Sequence, residues 1–292
     1  MFARLLLFLL PIFLFAHPAT AKSFASDRIS VTVTGSGADV VLIPGLSSSP
    51  DVWTGTIAAV PGYRYHLVKV AGFDGAPAGA NASGPVLIPV ADEIARYIKE
   101  AGLKSPALVG HSMGGSFAIL VAGRNSETAS KVMVVDMMPF LGAMFGGPKA
   151  TAESVTPMAT QIRDGIAKST GDARKTQIER TIASMVKTEA MRPSAVAQSL
   201  ASDPVVSGQG MYDLIVTDLR PELAKIKVPL TVLWVVPQGA PLTQPQMDGY
   251  YRASYAGAPQ AVLKHIPDSY HFIMYDQPEQ FRTELKAFLA AK

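Results

Sequence analysis

The pattern with chemical capacity in this chain is Gly110-His111-Ser112-Met113-Gly114, where an apolar run from Ala107 ends and a small-residue, helix-like segment reaching Ala122 begins. A serine on a sharp strand-to-helix turn sits in strained backbone geometry. Glycines two positions to either side let the chain pass closely, so the hydroxyl is held up into a cleft. Ser112 is therefore the candidate nucleophile. The start of the following helix favours negative charge developing beside it, and Gly115 extends the small face that packs on a sheet. A serine hydroxyl is a weak nucleophile at neutral pH and needs an adjacent base, most often a histidine oriented by a carboxylate. Of the five histidines, His17 lies in an N-terminal apolar segment, His66 in an early strand pattern, His111 inside the turn and His265 in the last strand pattern. His271 follows that last strand in the loop Pro267-Asp268-Ser269-Tyr270-His271-Phe272, near the edge where strand ends collect, and is the candidate base. Structural roles are expected for His111 and His265.

The elements that must position these residues are visible in the hydropathy pattern. Residues 29–34 alternate β-branched and polar side chains, Gly35-Ser36-Gly37 turns the chain, and residues 40–43 are wholly apolar, as in a strand covered on both faces. A turn-rich loop, 44–50, precedes another strand at 63–70 and a glycine- and alanine-rich loop to Pro85. Val90, Ile94, Tyr97, Ile98 and Ala101 recur at helical spacing, with Asp92 and Glu93 early, Lys99 late and Gly102 as the stop. Pro106 leads into the strand before Ser112, and residues 131–135 form the next, ending at Asp136. From Met137 to Arg220 methionine is frequent and no strand pattern occurs, while 177–187 and 192–200 suit helices, so 137–220 is expected to be an inserted helical cap. Strands at 229–236 and 261–266 then alternate with helices at 244–255 and 278–291. The alternation predicts an α/β fold, a mainly parallel central sheet flanked by helices, spanning residues 22–292.

Composition narrows the function classes. Residues 1–15 carry Arg4 and otherwise almost unbroken apolar side chains, and Ala19-Thr20-Ala21 offers a small-x-small cleavage pattern. Residues 1–21 read as a secretory signal, too short and wrongly flanked for a membrane span. An exported chain, periplasmic or secreted and without a span after cleavage, is expected. The absence of cysteine excludes disulfides and a lipid-bearing cysteine. With 26 lysines and arginines against 23 acidic residues, and no basic run that would follow a phosphate backbone, nucleic acid is not an expected partner. Neither a chelating cluster nor a phosphate loop occurs, and Gly35-Ser36-Gly37 lacks the third glycine and strand-to-helix context of a nucleotide site, so no metal or cofactor is expected.

The glycine-flanked serine, the buried strand leading to a loop at Pro44-Gly45-Leu46, and the late histidine in Ser-acid-His order resemble the α/β-hydrolase superfamily, from about Val31 to the C-terminus. Many members carry the acid after the penultimate strand, in a loop that here reads Val236-Pro237-Gln238-Gly239-Ala240-Pro241-Leu242-Thr243, with Ala240 where aspartate is expected. Other members place it after the strand following the serine turn. The resemblance then assigns the role to Asp136, at a strand's carboxyl end where its side chain would enter the same crevice as Ser112. Asp268 stands too near His271 along the chain, and Asp248 belongs on a helix face. The resemblance also implies an oxyanion hole made by the backbone N–H groups of Leu46 and Met113; Pro44, where the family often has histidine, lacks an N–H but leaves that of Leu46 in place.

Met137, Met138, Phe140, Met144 and Phe145 are expected to form an adaptable apolar wall over Ser112 if the insertion folds back, and in part to pack that insertion on the core. The reading is a serine hydrolase cleaving carboxylic esters of hydrophobic small molecules through an acyl-serine intermediate. A lactonase or other acyl hydrolase would use the same groups, and a non-catalytic ligand-binding protein of this fold is the rival from another class. Haloalkane dehalogenase and epoxide hydrolase chemistry is disfavoured, since those relatives have aspartate where Ser112 stands.

Overall fold

The computed structural model describes residues 24–125, 127–239 and 242–291. The segment read as a secretory signal and Ala240 lie outside the described residues. Seven strands, β1 (Ile29–Gly35), β2 (Ala38–Ile43), β3 (Tyr63–Val70), β4 (Ala107–His111), β5 (Lys131–Val135), β6 (Leu230–Trp234) and β7 (Val262–His265), form one sheet in the order β1-β3-β2-β4-β5-β6-β7. Only the β1–β3 pair is antiparallel. The central strands β2, β4 and β5 carry apolar runs at residues 40–43, 107–109 and 132–135 because both faces are covered. Val41, Ile43, Val132 and Val134 enter one core cluster with Phe117, while Val40, Leu42, Met133 and Val135 enter the other with Trp53 and Phe281. The edge strands differ: Val33 of β1 and Val262 of β7 are exposed.

Helices α1 (Thr54–Ala59), α2 (Leu87–Glu100) and α3 (Met113–Arg124) precede β5. The stretch from β5 to β6 contains α4 (Gly142–Gly146), α5 (Ala152–Ala167), α6 (Gly171–Met185), α7 (Arg192–Ala201), α8 (Pro204–Val216) and α9 (Arg220–Leu223), with no strand among its residues. α10 (Gln244–Ser254) joins β6 to β7, and α11 (Ile273–Asp276) and α12 (Pro278–Ala290) follow. Residues 113–123 of α3 are all buried, which makes it the helix against which one face of the sheet packs. α2 begins three residues earlier than its apolar spacing indicates. Its first amides, those of Val86 and Leu87, donate to Asp213 Oδ2 of α8 at 2.6 and 3.0 Å, a cap from 126 residues away that local sequence does not carry. Between β5 and β6, α5 lies directly against α8, where a Cβ on Gly208 would fall 2.6 Å from the Arg163 carbonyl oxygen, so only glycine permits that approach.

The parallel register aligns strand ends. Ile43 pairs with Gly110, and His111 with Val135, so the residues that leave β2, β4 and β5 emerge side by side. Ligand sites in open α/β sheets form at this carboxyl edge.

Candidate active site

Ser112 is the first residue beyond β4 and has φ 53° and ψ −123°, a left-handed conformation that costs a non-glycine residue about 1–3 kcal/mol. The flanking glycines make the turn possible. A Cβ on Gly110 would fall 2.0 Å from the Gly114 carbonyl oxygen, and one on Gly114 would fall 2.1 Å from that of Ile43. Ser112 N–H donates to Val135 O at 2.9 Å, which ties the turn to the end of β5.

The next residue of β5's exit is Asp136, buried and also left-handed at φ 53°. Its N–H donates to Leu233 O at 2.8 Å. Its carboxylate accepts three bonds: Oδ1 from Val235 N–H at 3.2 Å and from the Tyr251 hydroxyl at 3.0 Å, and Oδ2 from His271 Nδ1 at 2.6 Å. A buried carboxylate so satisfied remains an acceptor. Because Nδ1 carries the proton, the neutral imidazole leaves Nε2 as the basic nitrogen. His271 and Ser112 line the same cavity.

Three bonds fix the loop that carries His271. Tyr270 N–H donates to Asp276 Oδ2 at 2.9 Å, Phe272 N–H to Met185 O at 3.1 Å, and His111 Nε2–H to His271 O at 3.1 Å. His111 is buried on β4 with its ring 4.7 Å from that of His271. Burial first, and the neighbouring His271 second, hold its pKa well below the ordinary range, so it is a neutral tie between strand and loop. His265 packs its ring on Trp234 at 4.6 Å. Asp268 is exposed and ion-paired to Lys187, and Asp248 pairs with Arg252 along α10 at 2.6 Å, so neither faces the imidazole.

Leu46 lies in the loop after β2, and Met113 opens α3, where a helix leaves its first N–H groups without intrahelical acceptors. Among the described residues no carbonyl accepts from either amide. The loop is braced by α7 and α8: Ser47 Oγ meets Ser207 Oγ at 2.8 Å, and Ser49 N–H donates to Gln198 Oε1 at 3.0 Å.

The cavity above Ser112 measures about 620 Å³. Of the five side chains expected to wall it, only Met137 does so. Met138 and Phe140 are buried in core clusters, and Met144 and Phe145 are about half exposed on the single short turn of α4, which directs them to the surface. The wall comes instead from Ile162 and Ile166 of α5, Ile178 and Ile182 of α6, and Met211 and Leu214 of α8. Their three- and four-residue spacings are the signal that could have found them. Arg174 is the one Lys, Arg, Asp or Glu side chain among the lining residues; it donates to the carbonyls of Ser199, Leu200 and Ser202, which close α7. Among the described residues no three His, Asp or Glu side chains are disposed to hold a metal, and no helix is long and apolar enough to cross a membrane.

Residues 40–284 match the family model described as the alpha/beta hydrolase family. The chain is 27% identical over 270 residues to the pimeloyl-[acyl-carrier protein] methyl ester esterase of Vibrio cholerae, an alignment covering 88% of this chain and 93% of the relative. Among solved structures it superposes on an esterase from Exiguobacterium antarcticum with a TM-score of 0.74 at 20% identity, covering 90% of this chain and 96% of that one. It superposes on the enol-lactonase from Burkholderia xenovorans LB400 with a TM-score of 0.72 at 16% identity, with the same coverage of each chain. With the serine turn, the parallel sheet and a family match over most of its length, this chain belongs to the alpha/beta hydrolase family and is a hydrolase of that family.

Proposed function

We propose that the protein is an exported serine hydrolase that cleaves carboxylic esters of hydrophobic small molecules through an acyl-serine intermediate. The observation that carries this reading is the 2.6 Å bond from His271 Nδ1 to Asp136 Oδ2 beside a cavity that also holds Ser112 on its strained turn. His271 Nε2 takes the proton of Ser112 Oγ as the oxygen attacks the ester carbonyl. The oxyanion receives the N–H groups of Leu46 and Met113, and the imidazolium, stabilised by Asp136, passes its proton to the departing alkoxide. Water then attacks the acyl-serine with the same groups in the same roles. Ser112 Oγ and the imidazole make no direct hydrogen bond in the structure, and the bond forms as substrate is seated, a tightening common at such sites. The esterase named in the Vibrio cholerae relative supports an ester as the bond cleaved.

The apolar wall supports a hydrophobic acyl or alkyl group. Across p-nitrophenyl esters from acetate upward, kcat/KM is expected to rise with chain length, by up to about tenfold per pair of buried methylenes. Ile178→Trp, which fills the cavity from α6, is expected to reverse that trend while sparing acetate. A flat profile that the substitution leaves unchanged would place the acyl group outside this cavity.

Export rests on residues 1–21. Expression of the full sequence in a bacterium is expected to give a protein whose N-terminus, by mass spectrometry, is Lys22, recovered outside the inner membrane. An intact N-terminus in the cytosol would remove export from the proposal.

A further inference from the structure

We infer that Tyr251 is a positioning residue of the active site, whose hydroxyl fixes the Asp136 carboxylate in the orientation that holds His271; this rests on the hydrolytic reading above. The displacement of the acid to the end of β5 raises a mechanical problem. Asp136 sits at φ 53°, a conformation that surrounding structure must over-determine, and rotation about its Cα–Cβ and Cβ–Cγ bonds leaves the carboxylate free to aim at His271 or to turn away. Two donors on Oδ1 resolve it, leaving Oδ2 for the imidazole. One is Val235 N–H, a backbone group any sequence supplies. The other is the Tyr251 hydroxyl, a choice of side chain.

Tyr251 is well built for the task. It is buried on α10, with its ring stacked on Trp234 at 5.0 Å and parallel to Tyr255 at 6.4 Å and 6°. Four residues on, the Tyr255 hydroxyl donates to the Met137 carbonyl at 2.6 Å. Two tyrosines one helical turn apart therefore hold two consecutive residues of the strained segment, one by its side chain and the other by its backbone. Burial, with the Asp136 charge second, pushes the Tyr251 phenol well above its ordinary pKa, so it stays protonated and remains a donor. A stacked tyrosine needs a partner for its hydroxyl when buried, but a backbone carbonyl would serve, as it does for Tyr255. Placing that hydroxyl on the carboxylate couples the aromatic stack to the reacting groups.

The test is Tyr251→Phe, which keeps the ring and its stacking, read beside Tyr255→Phe. With p-nitrophenyl butyrate, Tyr251→Phe is expected to lower kcat about tenfold with KM little changed. The acid limb of the kcat/KM profile is expected to move to higher pH. Losing a donor leaves more negative charge on Asp136, which favours the imidazolium, so the free base persists only at higher pH. The other titratable groups about His271 are unchanged by the substitution: His111 on β4, Asp276 on α11, and the exposed Lys187–Asp268 pair. Tyr255→Phe should leave the limb in place. In an Asp136→Asn background Tyr251→Phe should cause no further loss, because both act through one contact.

A second readout does not depend on turnover: the downfield proton NMR resonance of His271 Nδ1–H should shift or broaden in Tyr251→Phe and persist in Tyr255→Phe. If Tyr251→Phe, folded by near-UV circular dichroism, keeps wild-type kcat, pH profile and resonance, the positioning role is overturned. Should Tyr251→Phe fail to fold, 3-fluorotyrosine incorporated for tyrosine, a stronger donor of nearly the same shape, must displace the resonance, and an unmoved resonance overturns the role. Were the wild type inactive on every ester, the hydrolytic reading would fall while the resonance still decided whether Tyr251 holds the pair.

Discussion

Ser112→Ala is expected to lower kcat for ester hydrolysis by about 10⁵-fold and to abolish labelling by a fluorophosphonate probe, while the protein stays folded and still binds the ester. The size of the effect follows from the role. No neighbouring hydroxyl occupies the turn between β4 and α3, and the groups that would remain, the amides of Leu46 and Met113 and the apolar cavity, account for only about 10³-fold over water in comparable sites. Stability should change little. Alanine at φ 53° carries the same steric penalty as serine, and Ser112 Oγ makes no hydrogen bond to another described side chain whose loss would be felt. A drop confined to kcat with retained affinity marks an interaction made in the transition state. Turnover within tenfold of wild type, or labelling at another serine, would remove Ser112 as the nucleophile.

What the sequence made legible follows from how local each constraint is. The serine turn could be read because Gly110 and Gly114 answer to backbone atoms within a few ångströms, and the inner strands because burial on both faces leaves a continuous apolar run at β2, β4, β5 and β6. The segment between β5 and β6 could be read as helical, but its inward faces could not. Which side of α5 and α6 looks onto Ser112 depends on how α5 seats against α8 at Gly208, a contact between segments some 45 residues apart. Met144 and Phe145 misled because apolar residues beside a strand end look like a wall, whereas α4 is one turn long and presents them outward. Tyr251 falls within the helix predicted at 244–255, yet its partner lies 115 residues earlier, and nothing within the helix distinguishes it from Tyr250. His111 likewise gave no local sign that its ring would anchor the carbonyl of His271.

Asp136→Asn is expected to lower kcat by about 10⁴-fold, equivalent to about 5.5 kcal/mol of transition-state stabilisation, which is more than loss of one charge from a part-exposed pair would cause. The reason lies in the donors around the side chain. Val235 N–H points at Oδ1 and requires an acceptor there, and the Tyr251 hydroxyl donates to the same atom, so the asparagine must set its carbonyl oxygen at that position. Its amide nitrogen then replaces Oδ2 and presents N–H to His271 Nδ1, where the aspartate accepted. The imidazole can answer only by surrendering the Nδ1 proton and carrying it on Nε2, the tautomer that cannot take a proton from Ser112. The surroundings therefore fix the wrong orientation as firmly as they fixed the right one. Steady-state kinetics at neutral pH, with the Nδ1–H resonance of His271 as the direct sign of the tautomer, check both parts: the rate should fall and the resonance should vanish. An Asp136→Asn enzyme within tenfold of wild type would mean that another carboxylate orients the base.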